Sequence, residues 1–325
     1  MDQFRTTFHL PSSPFDISLQ TPVLSLGSCF ANTMGQRLQA HKFQSLVNPF
    51  GVIFNPLSLY KLLHNIISLP LVQDQDLVLS QGVWYHYDTH SELWANTADV
   101  LKDKIQQKIE QAHQFLQSTQ VLMLTFGTAY GYFRLNNQQL VANCHKVPQK
   151  HFEKRLLTIE EITEGFSALN QTLQTINPQI KIVLTVSPVR HIKDTLPANQ
   201  VSKSILRVAC HQITEQFENV VYFPAYELML DDLRDYRFFK PDMIHPNQVA
   251  EDYIWEKFTQ VFMQEDTIQF LKQWKKVQQS LKHRSFHPTS EAHQAFLRKL
   301  LRQLESLQKQ IDVVEEIEQV KAQII

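Results

Sequence analysis

Hydrophobic and polar positions along this chain fall into two repeating patterns. Five short apolar runs rich in β-branched residues, at 22–26, 43–47, 121–126, 181–186 and 220–223, read as buried strands. Between them, apolar residues recur at helical spacing over 30–40, 56–67, 98–117, 158–176, 201–217 and 248–262. Phe30, Met34 and Leu38 mark the inner face of the first of these helices, and Pro56 opens the second. Two stretches break the alternation. Residues 77–87 carry Val, Trp and Tyr, and residues 130–142 alternate around Asn136-Asn137, so both read as hairpin insertions.

Strands joined by helices pair in parallel through right-handed crossovers. The predicted fold class is therefore α/β: a three-layer α/β/α parallel sheet of flavodoxin-like type, with strand order 2-1-3-4-5 taken by fold analogy. Beyond Gln264 the composition shifts to Gln, Lys, Glu and Leu. Leu300, Leu304, Leu307, Ile311 and Val314 follow three-and-four spacing, after which Ile317, Val320 and Ile324 drift off register. Two expectations stand for this stretch: an amphipathic helix lying on its own domain, or a helix that pairs two copies as a homodimer. The division expected is a catalytic-type domain over 1–263 and a helical C-terminal extension over 264–325.

Composition narrows the partners. With 325 residues, 43% hydrophobic content and a net charge of −1, the chain supports a sizeable core and projects no polyanion-binding field. The basic runs at 272–276 and 282–284 read as solvated helix faces, so no nucleic-acid partner is expected. No window is long and apolar enough to span a membrane, and the N-terminus lacks a charged start and an apolar stretch of leader type. Three scattered cysteines, Cys29, Cys144 and Cys210, suit a reduced, cytoplasmic setting and no structural zinc site. No cofactor is called for, and His145, His191 and His245 have no metal-ligand spacing.

Only seven glycines occur, and Gly27, Gly51 and Gly127 each sit just beyond an apolar run. In an open parallel sheet those are the strand ends where ligands bind. At the first of them, Gly27-Ser28 joins a strand to a helix start, a geometry that presents a hydroxyl to a helix N-terminus. Far along the chain, Asp242-Met243-Ile244-His245-Pro246 supplies a carboxylate and an imidazole in a loop before the last core helix. Ser28 as nucleophile, His245 as base and Asp242 as its orienting carboxylate form a complete set for acyl transfer. Backbone N–H groups of Ser28 and Gly51 are candidate oxyanion donors. The turn Gly127-Thr128-Ala129, or the amide of Asn55 or Asn143, is the candidate third. Asn55 also suits a helix cap before Pro56. Cys29 is a rival nucleophile, read here as packing. His145, Arg190 and His191 follow strand ends and are candidate substrate contacts, with surface-loop residues as the alternative.

The run Gly27-Ser28-Cys29-Phe30-Ala31 resembles the signature of the GSCFA domain family. Further segments are similar to that family: Asn48-Pro49-Phe50-Gly51 with Asn55-Pro56, Gly127-Thr128-Ala129, Ala142-Asn143-Cys144-His145-Lys146, Ser187-Pro188-Val189-Arg190-His191, and Tyr236-Arg237-Phe238 before Asp242 and His245. The resemblance spans residues 20–262. GSCFA domains in turn resemble the SGNH/GDSL hydrolases. That resemblance implies an SGNH-hydrolase-like sheet and ester hydrolysis by Ser28, Asp242 and His245, with Gly51 as the second-block glycine. It also implies an asparagine where this chain has Ala129, so one oxyanion donor is missing at its usual place. The expected function is a serine-dependent hydrolase that removes an acyl group from a carbohydrate or small alcohol. Two alternatives stand beside it: a glycan- or acyl-binding module with weak or no catalysis, and an acyltransferase.

Overall fold

The computed structural model describes residues 6–325; the first five residues of the N-terminal stretch discussed above lie outside the described residues. The chain runs β1 (Val23–Gly27), α1 (Cys29–Ala40), β2 (Ser45–Val47), α2 (Pro56–Ser68), β3 (Leu77–Ser80), β4 (Val83–His86), β5 (Trp94–Ala95), α3 (Ala98–Ser118), β6 (Val121–Phe126), β7 (Tyr130–Arg134), β8 (Leu140–Val141), β9 (Phe152–Leu156), α4 (Ile159–Ile176), β10 (Lys181–Val186), α5 (Leu196–Gln216), β11 (Val220–Tyr222), α6 (Ala225–Glu227), α7 (Gln248–Phe262), α8 (Glu265–Lys282), α9 (Glu291–Leu307) and α10 (Val314–Lys321).

The central sheet is parallel throughout, in the order β2-β1-β6-β10-β11, which is the 2-1-3-4-5 arrangement predicted. Alternate strand residues feed two separate apolar layers. Leu24, Leu26, Leu122, Leu124, Ile182 and Leu184 face the cluster built with α2, α3, α4 and α5. Val23, Val121, Met123 and Val183 face the cluster built with α1, α7 and the C-terminal helices. A period-2 strand buried on both faces reads as a continuous apolar run, which is why the pattern was visible in the sequence. Helix starts follow local chemistry. Thr158 and Glu161 form a reciprocal capping box at α4, and Asn55 caps α2 with Pro56 in its first turn.

The insertions are two small antiparallel sheets, β3-β4-β5 and β8-β7-β9. The third strand of the second sheet, β9, was not expected. Its sequence FEKRL is mostly charged, with only Phe152 buried, so it carries no apolar run. Helix α5 begins at Leu196, earlier than the spacing suggested, because Thr195 caps it by accepting the Ala198 N–H.

The C-terminal helices lie on the sheet's α1 and α7 face. Trp274 is buried there, and its indole N–H donates to the Ala40 carbonyl at 2.8 Å. Leu297, Leu300, Leu304 and Leu307 of α9 are buried in the same cluster of this chain. Helix α9 stops at Leu307 and α10 restarts at Val314, packing on α9. That break is the origin of the register drift after Val314. No helix among the described residues is long and apolar enough to cross a membrane.

Candidate active site

The site is built at the carboxyl ends of β1, β6 and β10. β1 ends on Gly27 at φ +140°, where an added Cβ would stand 2.3 Å from the Thr125 carbonyl oxygen. Only glycine lets β1 turn this close to its neighbour. The turn is pinned from both sides: the Gly27 N–H donates to Asn48 Oδ1 at 2.8 Å, and the Gly27 carbonyl accepts the Ile53 N–H at 2.9 Å.

Ser28 follows as the cap of α1, its Oγ accepting the Phe30 N–H at 3.3 Å. It is fully buried, at 0% exposure. Among the described residues its hydroxyl hydrogen has no acceptor. Cys29 is half-buried and packs against the α1 and α7 cluster. Burial pushes its thiol pKa up, against the pull of the Lys203 ammonium and the helix N-terminal amides, so it stays a thiol.

Asp242 and His245 meet as their spacing predicted. The His245 Nδ1–H donates to Asp242 Oδ2 at 2.8 Å. The other carboxylate oxygen accepts the Ile244 and His245 N–H groups at 2.8 and 3.0 Å. Those two backbone donors and the imidazole hold the Asp242 pKa down to about 2. Met243 takes a left-handed conformation at φ 57°, which closes the loop. The two side chains are 40% and 44% exposed, and His245 Nε2 has no partner among the described residues.

Arg190 docks this loop on the end of β10. Its Nη1 donates to the Met243 carbonyl at 3.2 Å, its N–H to the Ile244 carbonyl at 3.4 Å, and its guanidinium lies 4.1 Å from the Phe239 ring centre. β6 lies between β10 and β1, which sets the docking strand about 10 Å from the Ser28 strand. No hydrogen bond joins Ser28 to His245 in this structure.

The expected oxyanion donors are engaged inside the protein. The N–H groups of Ser28 and Gly51 donate to the carbonyls of Thr125 and Asn48 at 3.1 and 2.8 Å. Those of Gly127 and Thr128 both donate to the Phe54 carbonyl, at 2.7 and 3.1 Å. Asn55 accepts the Ser58 N–H and donates to the Ser58 hydroxyl, both at 2.9 Å, so its amide serves the α2 cap. Asn143 accepts the His145 N–H at 2.9 Å and shapes a turn. His145 belongs to the small sheets. It stacks on Tyr85 at 4.7 Å and bonds the His86 carbonyl and the Ser91 hydroxyl at 2.8 and 3.0 Å. Its pKa is lowered to about 4 by burial, so it is a neutral packing residue. Among the described residues no three or more His, Cys, Asp or Glu side chains gather as a metal site.

One residue that the sequence reading passed over stands under all of this. Lys203 is 1% exposed, and its ammonium donates to the carbonyls of Gly127 and Ser187, each at 2.7 Å. Among the described residues no carboxylate pairs with it, and burial lowers its pKa to about 7. Its neighbours on α5 hold the same turns. The Ser202 hydroxyl bonds Thr128 Oγ1 at 3.0 Å and accepts the Ala129 N–H at 2.8 Å, and Asn199 accepts the His191 N–H at 2.9 Å. The first turns of α5 therefore tie the ends of β6 and β10 together. The signal was present: Asn199, Ser202 and Lys203 share the helical phase of Leu206, Cys210 and Ile213, so a lysine falls on an inward face.

Comparison with known proteins agrees with the motif reading. The GSCFA family pattern matches residues 22–258, and the pattern described as GSCFA domain protein, C-terminal domain, matches residues 274–325. Among solved structures, a carbohydrate esterase family 3 from Talaromyces cellulolyticus aligns at 12% identity and a TM-score of 0.27, over 49% of this chain. The alignment spans 62% of that protein's length. No curated protein matches the chain. With its signature at the end of β1 and the family pattern running through the whole sheet, the chain belongs to the GSCFA family.

Proposed function

We propose that this protein is a serine-dependent ester hydrolase, removing an acyl group such as acetyl from a carbohydrate or small alcohol. The observation that carries the reading is a complementary pair of unmet needs at one end of the sheet. Among the described residues the buried Ser28 hydroxyl hydrogen has no acceptor, and His245 Nε2, oriented by Asp242 on a side chain that solvent reaches, has no donor. In the reaction, Ser28 Oγ forms a bond to the acyl carbon as its proton passes to His245 Nε2. The carbonyl π pair moves onto the acyl oxygen. His245 then returns the proton to the leaving alkoxide as the old ester bond breaks, and water repeats the sequence on the acyl-enzyme. Asp242, ionised down to about pH 2, stabilises the imidazolium formed in each half. An acceptor alcohol in place of water would make the same site an acyltransferase.

A second reading, a binding module for a glycan or acyl group, is favoured by one observation: Ser28 is buried and the N–H groups around it are engaged. Labelling with a fluorophosphonate, followed by mass spectrometry of the adduct, separates the two. An adduct on Ser28 that is lost in Ser28→Ala and His245→Ala and kept in Cys29→Ala supports the hydrolase. Folded protein with no adduct, whose melting temperature rises with ligand while an ester stays intact, supports the binding module.

A further inference from the structure

We propose that His191 supplies the missing oxyanion donor, its Nε2–H receiving the charge that develops on the acyl oxygen when Ser28 attacks. The proposal rests on the serine hydrolase reading above.

Three observations lead to it. First, position 129 cannot carry the donor. Ala129 is fully buried and points into the α2–α5 core, so an asparagine there would face apolar side chains. Second, the backbone N–H groups expected to serve are already bound to carbonyls. Third, a polar nitrogen at the strand ends is left over. His191 Nε2 is buried with no hydrogen-bond partner among the described residues. Buried polar groups are nearly always paired, so an unpaired one at a candidate site points to a ligand.

Placement fits the task. A Cβ built on Gly127 would be 3.3 Å from His191 Nε2 and 3.1 Å from the Phe54 ring. The nitrogen thus lies against the bare end of β6, the strand that pairs directly with β1, where Gly27 stands opposite Thr125. The ring is held edge-on to Phe54 at 5.3 Å, and its backbone N–H is bound by Asn199. A donor fixed in this way needs no reorganisation as charge appears.

Protonation fits as well. Burial, and then the Lys203 ammonium, lower the His191 pKa to about 4. Asp194 pulls the other way, and His245 and Lys154 add smaller repulsions. A neutral imidazole with its one proton on Nε2 donates a hydrogen bond and keeps the proton, a role known for neutral histidine in enzymes that polarise carbonyls. Lys203 is then a positioning residue: it ties Gly127 to Ser187, and its charge adds to burial in disfavouring a proton on the ring.

The test uses the full chain and p-nitrophenyl acetate, with His191→Leu and His191→Gln compared. Both side chains fill the space, and only glutamine places an N–H near Nε2. The expected result is a fall in kcat of about 100- to 1,000-fold for His191→Leu with KM little changed, and substantial recovery in His191→Gln. Melting temperatures of both variants establish that they fold alike. Equal kcat in wild type and His191→Leu, or equal loss in the two variants, overturns the role of His191 while Ser28-dependent turnover survives. If the wild type shows neither turnover nor a Ser28 adduct, the hydrolase reading fails and this proposal falls with it.

Discussion

Replacing Lys203 with methionine should change how the stability of the protein depends on pH. In the folded state the ammonium is enclosed and bonded to two carbonyls, and among the described residues it pairs with no carboxylate. Its pKa falls from 10.5 to about 7. The unfolded chain therefore keeps the lysine proton up to about pH 10.5, and the folded chain gives it up near 7. Between those values the unfolded state binds more protons, so stability rises with pH. Linkage with these two values gives a gain of about 2–3 kcal/mol between about pH 6 and about pH 9. Lys203→Met removes that gain. It also leaves the Gly127 and Ser187 carbonyls without their donor, a cost that is the same at every pH and cancels when slopes are compared. The shifts of the groups facing Lys203 all lead away from this window. His191 is already neutral, and burial raises both the Cys29 thiol and the Tyr226 hydroxyl. The assay is urea unfolding of both proteins across the window. The wild-type stability, taken relative to Lys203→Met, should rise by about 2–3 kcal/mol toward high pH. Parallel curves would refute the argument, because they would mean that the ammonium reaches solvent or a counter-charge in solution.

Four further outcomes follow from the same geometry. Gly27→Ala forces a Cβ to 2.3 Å from the Thr125 carbonyl at φ +140°, so unfolding free energy should drop by about 2–4 kcal/mol in a urea titration. Trp274→Ala empties a buried site and cuts the bond to Ala40, a loss of about 3–5 kcal/mol measurable in the same way, and it should loosen α8 from α1 in hydrogen exchange. Asp242→Asn should lower kcat for ester hydrolysis by about 100-fold or more by freeing the His245 ring. Because Asp242 ionises at about pH 2, the wild-type rate should lose nothing to Asp242 protonation on acidification to about pH 4.

Much of the frame was legible in the chain itself. Strands buried on both faces announce themselves as unbroken apolar runs, and each helix repeats its inner face every three or four residues. The Gly27-Ser28 turn and the Asp242–His245 spacing are local as well: the first needs only a positive φ, the second only a short loop that Pro246 keeps out of a helix. β9 escaped because an edge strand of charged residues on a small sheet has no apolar signature. The pause between α9 and α10 showed only as a slip in register.

What the tertiary structure alone decided is the state of the polar groups at the strand ends. Asn48 comes from 21 positions away to take the Gly27 N–H, Phe54 takes two amides of the β6 turn, and Lys203 reaches Gly127 across 76 positions. Those pairings turned expected donors into internal bonds, turned Asn55 into a cap and His145 into packing, and left the buried His191 Nε2 without a partner among the described residues. Periodicity reports which side of an element a residue lies on, because that depends on the residue's own neighbours in sequence. A hydrogen-bond partner is fixed by closure through space, and no one-dimensional pattern carries that information.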